Sequence, residues 1–297
     1  MNRTFRLLVL LLGAVAVAGC TAGTPGATAD PSPTAEPTIP PAEPTPDIDT
    51  APGFQTNSEP ATGPQADRLP PPPDPGTGQS LIMPDPNTLE SPLFGDDPNE
   101  LQVALTFDAG ADRGYAAEIL DTLAAEGIKA SFGMTGEWAE ANPDLVQRMV
   151  DEGHMLFNHT WDHDSLTGAN TDGVPQTAEQ VAQQLIDTET VVRELTGYEM
   201  RPYFRPPYGD YSEEALAYLA DNGYYITVWW TCDSFGWKGW TADQINDYCT
   251  QNLKNHEIIL LHVGIGAAGD YESLPGMIAS FREQGYEFVT VEEMVQP

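Results

Sequence analysis

Two imidazoles, His159 and His163, stand four residues apart directly after the short apolar run His154 to Asn158. Four residues is about one helical turn, so both rings can point to one side and share a metal ion. A lone pair of this kind says little by itself. Three further polar clusters give it weight: Thr106-Phe107-Asp108-Ala109-Gly110, Arg205-Pro206-Pro207-Tyr208-Gly209 and Leu260-Leu261-His262. Each follows an apolar run that reads as a strand, so each places an acid, a cation or an imidazole at a strand end.

Those runs alternate with helical patterns. Val103–Phe107, Lys129–Met134, His154–Asn158, Tyr203 onward, Tyr224–Trp230, Glu257–Leu261 and Glu287–Val291 read as strands. Between them lie helical segments over 114–127, 143–152, 177–195, 212–222 and 241–253, with a last one around Leu274 to Phe281. Asn142 before Pro143 and Ser212 before Glu213 are helix starts, and Gly127, Gly153 and Gly197 are stops. Repeated βα units predict parallel strands with right-handed crossovers. The expected fold is a distorted or incomplete (β/α) barrel of about seven strands, with an open doubly wound sheet as the alternative. In a barrel the C-terminal strand ends share one mouth, which would gather Asp108, His159, Arg205, Asp233 and His262.

Composition bounds the rest. Among 297 residues, 45 acids face 12 bases, a net charge of -33. Such a surface excludes nucleic acid and anionic lipid as partners and suits a neutral or cationic polymer. Residues 1–19 read as a processing segment: Arg3 and Arg6 precede the apolar run Leu7–Ala18, too short to span a membrane. The run ends Val17-Ala18-Gly19-Cys20, which resembles the lipobox of bacterial lipoproteins. The resemblance implies cleavage before Cys20, lipidation of its thiol and an extracytoplasmic domain anchored to the cell membrane by lipid alone. Residues 20–98 read as a disordered Pro/Thr-rich acidic linker, with Leu81–Phe94 apolar enough to lie against the domain that occupies 99–297. Cys232 and Cys249 remain as a candidate pair. An oxidising compartment favours the bond, and their separation along a helix opposes it.

Taken together, the polar clusters resemble the five motifs of the polysaccharide deacetylases, the NodB-homology domain of carbohydrate esterase family 4. They are Thr106-Phe107-Asp108-x-Gly110, His159-Thr160-x-x-His163, Arg205-Pro206-Pro207-Tyr208-Gly209, Asp233 with Trp237, and Leu260-x-His262. The resemblance spans about Glu100 to Val295. It implies a divalent metal on His159 and His163, commonly zinc, with cobalt or another divalent ion as substitutes. It makes Asp108 the general base and Arg205 its partner. It makes His262 the general acid, oriented by Asp233, and the Tyr208 N–H an oxyanion donor. Leu260 and Trp237 would line the acetyl pocket. The implied reaction is metal-dependent removal of acetyl from N-acetylated sugars of peptidoglycan or a chitin-like glycan, by a monomer. An O-acetyl glycan esterase and a non-catalytic glycan-binding lipoprotein are the alternatives.

Two positions depart from the family pattern. Ala109 stands where a second acid usually ligates the metal, and Asp112 is the candidate replacement. Gly236 stands just before Trp237, where the family often has Asp. Trp161, Trp229, Trp230, Trp240 and Tyr211 could stack on sugar rings, with one of Trp229 and Trp230 expected in the core. His154 and His256 read as structural or exposed.

Overall fold

A computed structural model describes residues 78–95, 100–169 and 173–295. The expected signal peptide, Cys20 and the linker up to residue 77 lie outside the described residues. Among those described, no helix is long and apolar enough to cross a membrane.

The strands are β1 (Leu81–Met83), β2 (Gln102–Ala109), β3 (Ser131–Met134), β4 (Met155–Asn158), β5 (Tyr203–Phe204), β6 (Ile226–Val228), β7 (Cys232–Asp233), β8 (Glu257–His262) and β9 (Glu287–Phe288). The helices are α1 (Ala116–Glu126), α2 (Gly136–Ala141), α3 (Pro143–Asp151), α4 (Ala178–Thr196), α5 (Glu213–Asp221), α6 (Ala242–Cys249), α7 (Ala268–Glu283) and α8 (Val291–Met294). The sheet runs β1-β6-β5-β4-β3-β2-β8-β7, with β9 also on β2. Every pairing is parallel. This is the distorted, incomplete (β/α) barrel, with nine strands among the described residues where about seven were expected. The extra two are β1, drawn from the Leu81–Phe94 stretch, and β7, two residues long.

The helix boundaries follow their side chains. Thr177 and Thr241 open α4 and α6 with reciprocal capping boxes to Gln180 and Gln244, and Ser212 caps α5 on the Ala215 N–H. Leu120 and Leu123 of α1, with Met277 and Phe281 of α7, are buried against Leu105, Phe107 and Phe132 of the sheet. Burying such side chains contributes about 1.5–3 kcal/mol each, which is what presses helices onto strands. A second cluster, with Met83, Phe157 and Val228, closes the opposite side of the sheet around Val291 and Met294. The segment after β1 is tied down by the stacked rings of Phe94 and His256, 4.5 Å apart.

Several local expectations change. The predicted strand 224–230 ends at Val228, so Trp229 and Trp230 lie past it and stack on each other at 4.2 Å and 8° instead of facing opposite ways. The His159–His163 stretch is not helical: Thr160 (φ 68°) and His163 (φ 65°) are left-handed, and this turn brings the rings together. Cys232 and Cys249 are bonded, with Cα atoms 5.7 Å apart. The loop 234–241 lets α6 run back toward β7, so its C-terminal end, not its start, lies beside the strand.

Candidate active site

Asp108 and His262 occupy the same level of adjacent strands, since β2 and β8 pair in register Asp108↔His262. With Leu260 and Thr106 they belong to one strand face, because side chains alternate. Asp108, His159, His163, Trp237 and His262 open on one cleft of about 440 Å³.

Asp108 is buried and would on that account be raised in pKa. Arg205 above all, then His159 and His262, outweigh burial and hold the carboxyl below its usual value. The Arg205 guanidinium is wholly buried and each of its nitrogens donates. Nη1 reaches Asp108 Oδ1 at 2.8 Å, Nη2 reaches Thr106 Oγ1 at 3.0 Å, and Nε reaches the Val228 carbonyl at 3.1 Å. Its plane also lies over Phe157, 5.0 Å from the ring centre. A buried ion pair satisfied on this scale is costly to break from either side. Gly133 on β3 makes room for the pair: a Cβ there would stand 2.3 Å from the Phe157 ring and 2.9 Å from Asp108 Oδ1.

His159 follows β4 directly. Its Nδ1–H donates to the Arg205 carbonyl at 2.7 Å, which fixes the tautomer. Nε2 is left buried without a hydrogen-bond partner, 3.5 Å from Asp108 Oδ2. Burial lowers the pKa of this ring and takes that of His163 down to about 4, so both are neutral. Their rings meet at 4.9 Å, and Tyr208 packs against His163 at 4.7 Å. A neutral imidazole with one nitrogen locked on a carbonyl and the other bare is how ligating histidines are held, so His159 fits a divalent ion, with the neighbouring neutral ring of His163 as the second candidate donor. The expected third donor does not join it. Asp112 is exposed and its Oδ1 accepts from the Ile265 N–H at 2.9 Å. Among the described residues no three His, Cys, Asp or Glu side chains gather as an ion would need. Ala109 is buried in the apolar core and offers no donor.

A buried network behind β4 steadies the pair. Glu189 accepts from Tyr224 Oη at 2.6 Å, Tyr224 accepts from Asn158 Nδ2 at 2.9 Å, and Asn158 Oδ1 accepts from the Thr160 N–H at 3.0 Å. Asn158 and Thr160 flank His159, so the network brackets the imidazole. Asp210, which sequence reasoning also missed, binds Ser165 and Thr167 and ties the loop after His163 to the Pro206–Asp210 turn. In that turn Tyr208 is left-handed (φ 61°), and the Gly209 and Asp210 N–H groups close back on Pro206 and Pro207 while that of Tyr208 does not.

The carboxylate on His262 is Asp270, not Asp233. Asp270 Oδ2 lies 3.2 Å from His262 Nδ1 and accepts the His262 backbone N–H at 2.8 Å. Burial opposes a charge on His262, yet the Asp270 hydrogen bond, with Asp108 and Asp233 further off, outweighs it and raises the pKa. Asp233 instead accepts from the Phe235 N–H at 2.9 Å and the Trp237 indole at 3.3 Å, bracing Trp237 over the cleft. Leu260 lies beneath, 5% exposed, opposite Asp233 in register. Trp161, Trp229, Trp230, Trp240 and Tyr211 are partly exposed, and Tyr211, Trp229 and Trp230 pack together.

Fold and site together define a hydrolase. Residues 95–227 match the family model described as polysaccharide deacetylase. A Bacillus cereus peptidoglycan-N-acetylglucosamine deacetylase is 36% identical over 200 residues, 67% of this chain and 70% of that protein. The crystal structure of the Bc1960 peptidoglycan N-acetylglucosamine deacetylase is 33% identical with a TM-score of 0.60, covering 68% of this chain and 91% of that one. A CE4 family pseudoenzyme from Bacillus anthracis also superposes, at 26% identity and TM-score 0.60 over 67% of each chain. The chain belongs to the polysaccharide deacetylase family.

Proposed function

We propose that this protein hydrolyses the acetamide of N-acetylated sugars in a cell-envelope polysaccharide, peptidoglycan foremost, releasing acetate. The observation that carries this is the pairing of Asp108, held ionised by Arg205, with His262, whose pKa Asp270 raises, across one register step and on one cleft. Asp108 takes the proton of the attacking water. His262 gives its proton to the departing sugar nitrogen. The Tyr208 N–H meets the oxyanion, and Trp237 and Leu260 bound the space for the acetyl methyl. His159 and His163 would hold a divalent metal, zinc by the usual preference of imidazole sites, whose Lewis acidity polarises the acetamide carbonyl. The relatives' named substrate favours peptidoglycan, and the acidic surface disfavours strongly anionic polymers such as nucleic acid. We further propose that Cys20 carries a lipid and that the protein works outside the cytoplasm, on the strength of the lipobox-like sequence.

Ala109 and the likeness to a pseudoenzyme favour one second reading, glycan binding without turnover. Acetate release separates the two. The full chain is assayed on N-acetylglucosamine oligomers and on peptidoglycan, after chelation and after zinc or cobalt is restored. Release that returns with metal supports the deacetylase. Saturable glycan binding with no acetate under any metal would overturn it in favour of the second reading.

A further inference from the structure

We propose that Asp270 is the positioning residue for His262, and that its carboxylate occupies the place of an acid side chain at position 236, so that Gly236 and Asp270 act as one exchanged unit. The role assigned to His262 rests on the deacetylase reading. The exchange itself rests on three observations around the start of α7.

The first is steric. A Cβ at Gly236 would stand 2.1 Å from Asp270 Oδ1, 2.4 Å from its Cγ and 2.7 Å from Oδ2. A side chain at 236 and the carboxylate of Asp270 therefore claim the same volume. Gly236 is not left-handed, so backbone conformation does not demand glycine there. What demands it is the carboxylate.

The second is where that carboxylate directs its bonds. Asp270 is wholly buried, and Oδ2 serves His262 twice, at Nδ1 and at the backbone N–H. Oδ1 is buried without a hydrogen-bond partner. A buried carboxylate left half satisfied costs stability, and its placement in the first turn of α7, where the helix dipole favours an anion, offsets part of that cost. It works on the imidazole more than on the fold.

The third is the occupation of Asp233, whose oxygens hold the Phe235 N–H and the Trp237 indole. Asp270 is thus the acid in direct contact with the ring. It fixes Nδ1–H as the inner donor and leaves Nε2 to carry the proton offered to the cleft. The other charged or titratable groups facing His262 are Asp108, Asp233, His159 and His163, none of them within hydrogen-bond range of Nδ1.

The test follows the His262 titration by NMR of the full chain labelled at histidine, beside the pH profile of acetate release. Asp270→Asn is expected to lower the His262 pKa by about one unit or more, move the alkaline limb of kcat down with it, and cut kcat by about tenfold or more with KM little changed. Asp270→Ala is expected to do the same. Adding Gly236→Asp to Asp270→Ala is expected to restore both the titration and the rate, while Gly236→Asp alone is expected to impair them. An unmoved titration in Asp270→Asn, or a loss of melting temperature without any change in titration or pH profile, would overturn the positioning role. A double variant no better than Asp270→Ala would overturn the exchange. Absence of acetate release by the wild type would sink the deacetylase reading alone, since the titration still decides the pair.

Discussion

Asp108 and His262 are register partners on adjacent parallel strands, so the distance between carboxylate and imidazole is set by sheet geometry rather than by loops. Strands 4.7–4.9 Å apart do not drift, and the pair inherits that rigidity. Each pKa is then shifted from a different side: that of Asp108 is lowered by Arg205 on the loop after β5, and that of His262 is raised by Asp270 on α7.

Arg205 is expected to matter to stability as well as to rate. Arg205→Met leaves Asp108 buried beside an apolar chain, and urea unfolding should show a loss of about 3–5 kcal/mol. Asp108→Asn should fold, keep a hydrogen bond to Arg205, and lower acetate release by about 10²–10⁴-fold. An Asp108→Asn variant with near wild-type turnover would remove it from the chemistry.

Metal should be held by the two imidazoles and not by Asp112. His163→Ala is expected to abolish binding of zinc or cobalt in equilibrium dialysis. Asp112→Ala should leave affinity within about twofold, because its Oδ1 is engaged with the Ile265 N–H. Tyr224→Phe, which breaks the bracket around His159, should weaken the metal by about tenfold, as loss of outer-shell support commonly does. A large loss of affinity in Asp112→Ala would mean the loop rearranges on binding.

Acid should destabilise the fold through His154. Its Nδ1 accepts the Ala130 N–H at 3.0 Å, and burial first, then Lys129 nearby, lowers its pKa to about 4 despite Glu152. The unfolded chain titrates near the ordinary value of about 6.5. Below that pH the unfolded state binds the extra proton, so the contribution present above about 6.5 is lost as pH falls toward 4, amounting to about 2–3 kcal/mol. Denaturation midpoints at pH 7 and pH 4.5 should differ less in His154→Asn, which keeps an acceptor without the titration.

Reduction should loosen the Trp237 side of the cleft. The Cys232–Cys249 bond spans 17 positions, a closure contributing about 3 kcal/mol in the chain-entropy account. Urea midpoints with and without reductant should show this loss. The paired Cys232→Ser and Cys249→Ser variant should match the reduced protein.

The barrel and most of its mouth were legible because strand ends show in sequence as polar residues breaking apolar runs. Asp108, His159, Arg205 and His262 were found that way, and the resemblance gave each a role. Asp270 was not, because an acid in a first helical turn looks like an ordinary favourable charge. The signal that pointed to it was Gly236, a gap in the pattern that another chain segment had to fill. Asp210 was hidden likewise, since its partners Ser165 and Thr167 lie more than 40 positions away. The left-handed turns at Thr160, His163 and Tyr208 have no mark in residue type, and helical spacing misdescribed the first two. Strand β1 escaped because three residues in a Pro-rich neighbourhood carry too little periodicity to read.

That same short strand orients the molecule. Because β1 runs parallel to β6, and the cleft opens at the C-terminal strand ends, Gly78 lies at the opposite, N-terminal end of the sheet. A load applied to the chain at Gly78 would therefore act on the end of the sheet away from the catalytic residues.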